Sequence, residues 1–389
     1  MISKKISEKM ASGSWIRKMF EEGARLKALH GADNVYDFSL GNPDLEPPEQ
    51  VIETIARLAS TKETGTHGYM NNAGYPAVRA AIAADLTARS GVSLDESSVC
   101  MTVGAAGGLN VALKSLLDPG DEVIVLAPFF VEYLSYIENH GGVPVIVDCD
   151  RSTLLPVPSV IQKAVTERTK AIILNSPNNP SGKIYSAELL QEIDKMLLAQ
   201  NHTIYVISDE PYIDLVYDGR KAPESLANLT NLLVCFSWSK SLSLPGERIG
   251  FLAVSSRADD HQNLAAAAAY CNRTLGFVNA PALFQRVIAE SLGAKVDAAR
   301  YEKRRDMLIK VIRQAGFDAQ APEGGLYVFM KTPDDDDVRF ADICAKERIL
   351  LVPGRGFGFS GYVRLCFAVP EQTITASAES FANVARAYA

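Results

Sequence analysis

The chain has 389 residues, 47% of them hydrophobic and 22% charged, and a formal net charge of −7. That composition supports a sizeable core, and the length points to one large domain with a smaller one beside it. A mildly acidic chain with no long basic run does not fit a nucleic-acid or anionic-membrane binder, and no apolar stretch approaches the length of a membrane span.

Taken in chain order, the N-terminal MISKKISEKMASGSWIRKMF carries charges but no continuous apolar segment, so no secretory signal is expected and the cytoplasm is the default location. Residues 14–30 show the spacing of an amphipathic helix. From residue 122 onward short apolar runs recur: EVIVLA (122–127), VPVIVD (143–148), KAIILN (170–175), TIYVIS (203–208), NLLVCF (231–236) and GFLAVS (250–255). Each is too short for a buried helix, and runs without alternation suit strands covered on both faces. Helix-like stretches lie among them, including GGLNVALKSLLD (107–118) and SAELLQEIDKMLLAQ (186–200). The rhythm predicts an α/β fold built on a mostly parallel sheet. A long charged helical pattern at 298–315 follows, then GGLYVFM (324–330), FADICAKER (340–348), ILLVPG (349–354) and YVRLCFA (362–368), which predict a smaller α+β domain. The expected division is a large domain over 46–290, a small domain over 291–389, and an N-terminal segment, 1–45, packing with the small one. The DDDD run at 334–337 reads as a solvated loop. Six scattered cysteines without a C-x-x-C pair read as a reduced interior, and the five histidines show no metal-binding spacing.

In open α/β sheets ligands bind beyond the carboxyl ends of the strands, so the residues just past each apolar run carry the chemistry. These are PFFVEY (128–133), SPNNPSG (176–182), DEPY (209–212) and SWSK (237–240), while TVGAAGG (102–108) leads into a helix. Together they offer a lysine amine, a carboxylate, an amide, a phenol, aromatic rings and a glycine-rich helix start. Pyridoxal phosphate uses all of these. Its aldehyde needs a lysine, its pyridine nitrogen needs a carboxylate, and its phosphate suits helix N-terminal amides, hydroxyls and an arginine. TVGAAGG lacks the G-x-G-x-x-G spacing of a dinucleotide site. GRGFGFSG (354–361) lacks the GK[ST] of a Walker loop and is expected to line the substrate entrance beside Arg364. Taken singly, Lys240 reads as a surface lysine, Asp209 as a turn cap and Tyr69 as a packing residue; their order and spacing change that reading.

On these residues the sequence resembles a class I/II aminotransferase of the fold-type I pyridoxal-phosphate superfamily, aspartate aminotransferase-like, from about Gly41 to Phe367. The pattern S-x-S-K-x-x-x-x-x-G-x-R-x-G is complete as Ser237, Ser239, Lys240, Gly246, Arg248 and Gly250, with NPSG and SDEPY in the right order ahead of it. The resemblance implies a seven-stranded-type sheet sandwiched by helices. It implies that Lys240 attaches the cofactor and later moves the substrate proton, and that Asp209 pairs with the pyridine nitrogen. Asn179 and Tyr212 would bond the ring oxygen, and Phe130 would stack on the ring, with Phe129 as a competitor. Gly104, Ala105 and Ala106 would present amides to the phosphate, aided by Ser237, Ser239 and Arg248. Tyr69, in YMNNAG (69–74), would reach across a homodimer interface to the partner's phosphate. Arg364 would grip the substrate α-carboxylate, with Gly41 and Asn179 against it. The implied reaction is transamination between an L-amino acid and a 2-oxo acid, with aspartate or alanine and 2-oxoglutarate favoured. In one aspartate-using group the second carboxylate meets a lysine where this chain has Ala106, so Arg273, Arg17 or Lys18 would have to substitute; Trp15 and Phe20 could equally line an apolar pocket. A C–S lyase on the same fold is the alternative. A ligand-sensing regulator domain would need a DNA-binding extension, for which no helix-turn-helix or basic stretch is evident.

Overall fold

The computed structural model describes residues 2–12, 15–62 and 64–388. Twelve strands are present among them. Seven form one sheet: β2 (Val99–Thr102), β3 (Glu122–Ala127), β4 (Val143–Asp148), β5 (Thr169–Asn175), β6 (Tyr205–Asp209), β7 (Leu232–Ser237) and β8 (Gly250–Val254). Their spatial order is β2-β8-β7-β6-β5-β3-β4, and every pair is parallel except the two that β8 makes. This is the mostly parallel seven-stranded α/β sheet expected of the family. Its apolar runs do not alternate because helices cover both faces: Val123, Val125, Ala171 and Ile173 join one core cluster, while Ile124, Leu126, Ile172 and Leu174 join the other.

One run departs from that pattern. β4 is the sheet's edge, and Val143 (43% exposed) and Ile146 (49% exposed) face solvent rather than a second layer. An apolar run is therefore compatible with an edge position, where only part of the strand is covered.

The remaining strands are β1 (Tyr36–Asp37), β9 (Tyr327–Lys331), β10 (Ile349–Leu350), β11 (Val352–Pro353) and β12 (Tyr362–Cys366). β11, β12 and β9 make an antiparallel sheet, and β1 pairs with β10 in parallel. The single run ILLVPG thus serves two sheets in succession. The helix Ala298–Gln314, capped by the Asp297 carboxylate, packs Leu308 and Ile312 into the core behind these strands. The N-terminal helix Trp15–His30 sets Leu26 against Val35 and Leu350 and ties Lys27 to Asp37 at 2.7 Å. Ahead of it, the helix Lys4–Ser12 reaches the large sheet's surroundings, with Lys9 Nζ 2.7 Å from the Glu138 carboxylate.

Candidate active site

A cavity of about 340 Å³ lies past the carboxyl ends of β5, β6 and β7. The fully buried strand β7 carries the chain to Ser237, and one helical turn, Trp238–Ser241, turns Lys240 into the cavity. Lys240 Nζ donates to the Gly41 carbonyl at 2.8 Å. Burial, aided by the positive fields of Arg364 and Arg248, lowers the ammonium's pKa to about 8.

On the neighbouring strand, Asp209 ends β6. Its Oδ2 accepts from the Tyr133 hydroxyl at 2.5 Å, while Oδ1 is buried with no partner. Burial pushes the carboxyl up to about 7, against the pull of the Tyr133 hydrogen bond. The register of β5 against β6 places Asn175 opposite Asp209. The Asn175 amide then locks both neighbours: Nδ2 donates to the Asp209 carbonyl at 2.7 Å, and Oδ1 accepts from the Asn179 backbone N–H at 2.7 Å.

Arg364, 2% exposed on β12, closes the opposite side. It donates to Asn179 Oδ1 at 3.2 Å and to the Ser39 carbonyl at 2.8 Å, and its guanidinium lies 4.3 Å from the Tyr327 ring and 4.7 Å from the Phe357 ring. Its Nε has no partner. The Tyr212 and Tyr327 hydroxyls meet at 3.2 Å. Gly41 is packed so closely here that a Cβ would lie 1.8 Å from the Tyr327 hydroxyl oxygen.

At the far end the helix Gly104–Leu116 points its N-terminus toward Arg248. Gly104 has φ of 75°, and a Cβ there would sit 2.8 Å from a guanidinium nitrogen of Arg248. Arg248 donates to the Pro245 and Val103 carbonyls, and Ser237 Oγ donates to Ser239 Oγ at 3.0 Å. A Cβ on Gly250 would fall 2.3 Å from the Phe236 carbonyl and 2.9 Å from Gly104 Cα, so this glycine lets the loop approach the sheet.

Of the residues singled out in the sequence, Gly41, Ala105, Ala106, Phe130, Asn179, Asp209, Tyr212, Ser237, Ser239, Lys240, Arg248 and Arg364 line this one cavity. Gly104 borders it through Arg248. Phe129 packs into the core against Gly358, which leaves the cavity wall to Phe130. Tyr69 is not in the cavity; it is 94% exposed. One local expectation is corrected: the GRGFGFSG segment backs Arg364 through Phe357 instead of lining the cavity. A Cβ on Gly246 would meet nothing within 4 Å, and the left-handed position that follows is taken by Arg248 at φ 51°. Neither Arg273 nor Lys18 nor Trp15 lines the cavity; the side chains of Arg17 and Phe20 lie outside the described residues. Tyr133, Asn175, Tyr327, Ser39 and Glu132 were not anticipated. Tyr133 and Glu132 stand in the PFFVEY strand end and Tyr327 in GGLYVFM, but nothing in those runs distinguishes a cavity residue from a core one.

The donor set fits pyridoxal phosphate. The unpartnered buried oxygen of Asp209 suits a ring N–H, the Lys240 amine suits the aldehyde, and the cradle of helix start, hydroxyls and Arg248 suits the phosphate. Fold and cavity together define a fold-type I pyridoxal-phosphate enzyme. The family model described as aminotransferase class I and II matches residues 33–381, and the chain belongs to that family. It is 33% identical to the aspartate/prephenate aminotransferase of Thermus thermophilus over 353 residues, covering 88% of this chain and 89% of that one. It is 30% identical to the aspartate aminotransferase of Thermotoga maritima, covering 96% and 97%. Among solved structures, an aminotransferase from Eubacterium rectale superposes with a TM-score of 0.96 at 36% identity, covering 100% and 99%. The Thermus aspartate aminotransferase with maleate gives 0.85 at 29%, covering 95% and 96%. The protein is a pyridoxal-phosphate-dependent aminotransferase acting on an amino acid and a 2-oxo acid, and the C–S lyase alternative is not favoured. Among the described residues no helix is long and apolar enough to cross a membrane.

Proposed function

We propose that the transamination is carried out by the roles this cavity distributes among its own side chains. When bound, pyridoxal phosphate supplies an electron sink that makes the substrate Cα–H acidic. Lys240, with its pKa lowered to about 8, takes and returns that proton near neutral pH. Asp209, oriented by Tyr133, keeps the ring nitrogen protonated. Asn179 and Tyr212, which line the cavity, would hold the ring oxygen, and Phe130 would lie against the ring. The amides of Gly104, Ala105 and Ala106, with Ser237, Ser239 and Arg248, hold the phosphate. Arg364 takes the α-carboxylate beside Gly41 and Asn179.

Names of relatives put aspartate first as donor. Among the described lining residues, however, the cations are Lys240, Arg248 and Arg364, and each already has a role. Alanine, which needs no second cation, is therefore the stronger donor; 2-oxoglutarate carries the same second carboxylate as aspartate and is assayed beside a monocarboxylic 2-oxo acid as acceptor. The enzyme works in the cytoplasm as a homodimer in which Tyr69 completes the partner's site, and its subunit divides into a large domain over 46–290, a small one over 291–389 and an N-terminal segment over 1–45.

The observation that carries this reading is that the Lys240 amine, the unpartnered Asp209 oxygen and the Arg364 guanidinium open into one cavity. The test is a rapid-mixing donor screen on the holoenzyme, following the cofactor absorbance for each amino acid. Conversion is expected with alanine; no conversion with any donor would overturn transamination. A Lys240→Ala protein that kept the absorbance of lysine-bound cofactor would remove Lys240 from its role.

A further inference from the structure

Glu132 opens the helix Glu132–Asn139 and lines the same cavity as Arg364 and Tyr327. Its Oε2 is buried and has no hydrogen-bond partner. Its neighbours in sequence are engaged elsewhere: Phe130 forms cavity wall, and Tyr133 holds Asp209. A glutamate in the first turn of a helix is ordinarily explained by the helix dipole. That account needs no burial, and burying an unpaired carboxylate oxygen is costly. The cost makes sense if the carboxylate faces a ligand.

The position says which part of the ligand. Burial raises the Glu132 carboxyl, a hydrogen bond from its own backbone N–H opposes that rise, and the positive field of Arg364 opposes it further. Arg364 is the cation for the α-carboxylate, and Glu132 lines the same cavity with a buried oxygen that has no partner, so its carboxylate is offered to the part of the substrate that Arg364 does not hold. A second carboxylate there would meet a like charge and no cation from the described lining residues; like-charge juxtaposition is how sites reject wrong ligands.

We propose that Glu132 is a specificity-determining residue that selects against a second carboxylate on donor or acceptor and in favour of a side chain carrying a hydrogen-bond donor or a positive charge. This rests on the site reading above and narrows its substrates, weighing against aspartate and also against 2-oxoglutarate.

The test compares holoenzyme of the wild type, Glu132→Gln and Glu132→Ser, the last guarding against a misfit of the longer amide. The kcat/KM for aspartate is measured against that for asparagine, its isosteric amide, with pyruvate as acceptor. Calorimetry measures binding of succinate against succinamate, which needs no turnover. In both variants the aspartate-to-asparagine ratio and the succinate-to-succinamate affinity ratio are expected to rise at least about tenfold, equivalent to about 1.4 kcal/mol. Ratios that do not move would assign Glu132 to the helix alone and overturn the proposal. Ratios that fall would also overturn it, by showing a protonated Glu132 that donates to the second carboxylate. A wild type whose bound cofactor is converted by no amino acid in the rapid-mixing screen, alanine included, sinks the transaminase reading instead, and the binding ratios still decide the role of Glu132.

Discussion

Burial disfavours the charged form of both Lys240 and Asp209, and this has a stability cost that can be measured. The Lys240 pKa is lowered from 10.5 to about 8. A base with a depressed folded pKa binds fewer protons folded than unfolded between those values, so its penalty is full below about pH 8 and disappears as pH rises through 10.5. Replacing it by Met in the cofactor-free protein should therefore stabilise the fold by up to about 3 kcal/mol at pH 7, and the gain should shrink toward zero between pH 8 and 10.5, as read by urea unfolding. Asp209 runs the other way. Its carboxyl is raised from 3.8 to about 7, so the folded state holds a proton the unfolded chain has lost, and stability falls as pH rises from about 4 to 7. Asp209→Asn should make the cofactor-free protein more stable above pH 7 while weakening its hold on pyridoxal phosphate, the two effects being separated by denaturation without cofactor and by absorbance titration with it. Arg364 is also buried. Its planar guanidinium lies within about 5 Å of two aromatic ring centres and bonds Asn179 and Ser39, a geometry a lysine cannot reproduce. Arg364→Lys should lower kcat/KM by roughly 30-fold or more for every donor alike, the loss expected when a buried charged contact of about 2–5 kcal/mol is broken.

At the scale of elements, the motif glycines have different duties. Gly250 lies where a methyl group would strike the Phe236 carbonyl on β7 and the Gly104 backbone at once, so it sets how closely the loop before the helix Gly104–Leu116 approaches the sheet. Gly250→Ala should cost about 1–3 kcal/mol and lower cofactor affinity, because the helix start is pushed off the strands. A Cβ added at Gly246 would meet no atom within 4 Å and its φ is not positive, so Gly246→Ala should stay within about 0.5 kcal/mol of the parent in denaturation and bind cofactor equally well. Spacing alone could not separate these two, since both satisfy the same pattern. What was legible follows the same line. Short unalternating runs announced a sheet covered on both faces, and the residues just past them, Lys240, Asp209 and Asn179, could be placed because strand ends face one side. Tyr133 and Tyr327 could not, because their partners Asp209 and Tyr212 lie 76 and 115 residues away and only tertiary packing joins them. ILLVPG could not announce two sheets, because its switch depends on which strand lies alongside.

At the scale of the whole molecule, the feature that one subunit leaves unaccounted for is Tyr69. Its side chain is 94% exposed, beside a cleft of about 200 Å³ shared with His67, Met70 and Phe277. Its loop is not loose. Asn279 Nδ2 donates to the Asn71 carbonyl at 2.8 Å, Asn272 Nδ2 to the Asn72 carbonyl at 2.9 Å, and Gln285 Oε1 accepts from the Tyr75 amide at 3.0 Å. A pinned loop that presents a large aromatic to solvent is what a surface made for a second copy requires, and two-fold symmetry would carry each Tyr69 to the other subunit's phosphate cradle. Subunit mixing separates this from a role within one chain. Lys240→Ala subunits lack the amine and Tyr69→Ala subunits lack the phenol. In a hybrid dimer with Tyr69 acting across the interface, one site carries both defects and the other carries neither. Random reassortment of equal amounts makes half the dimers hybrid, so restored activity of about a quarter of the wild-type value per site is expected from two poorly active parents. If Tyr69 serves its own subunit, every site in every hybrid has one defect, and the mixture will not exceed the mean of its parents.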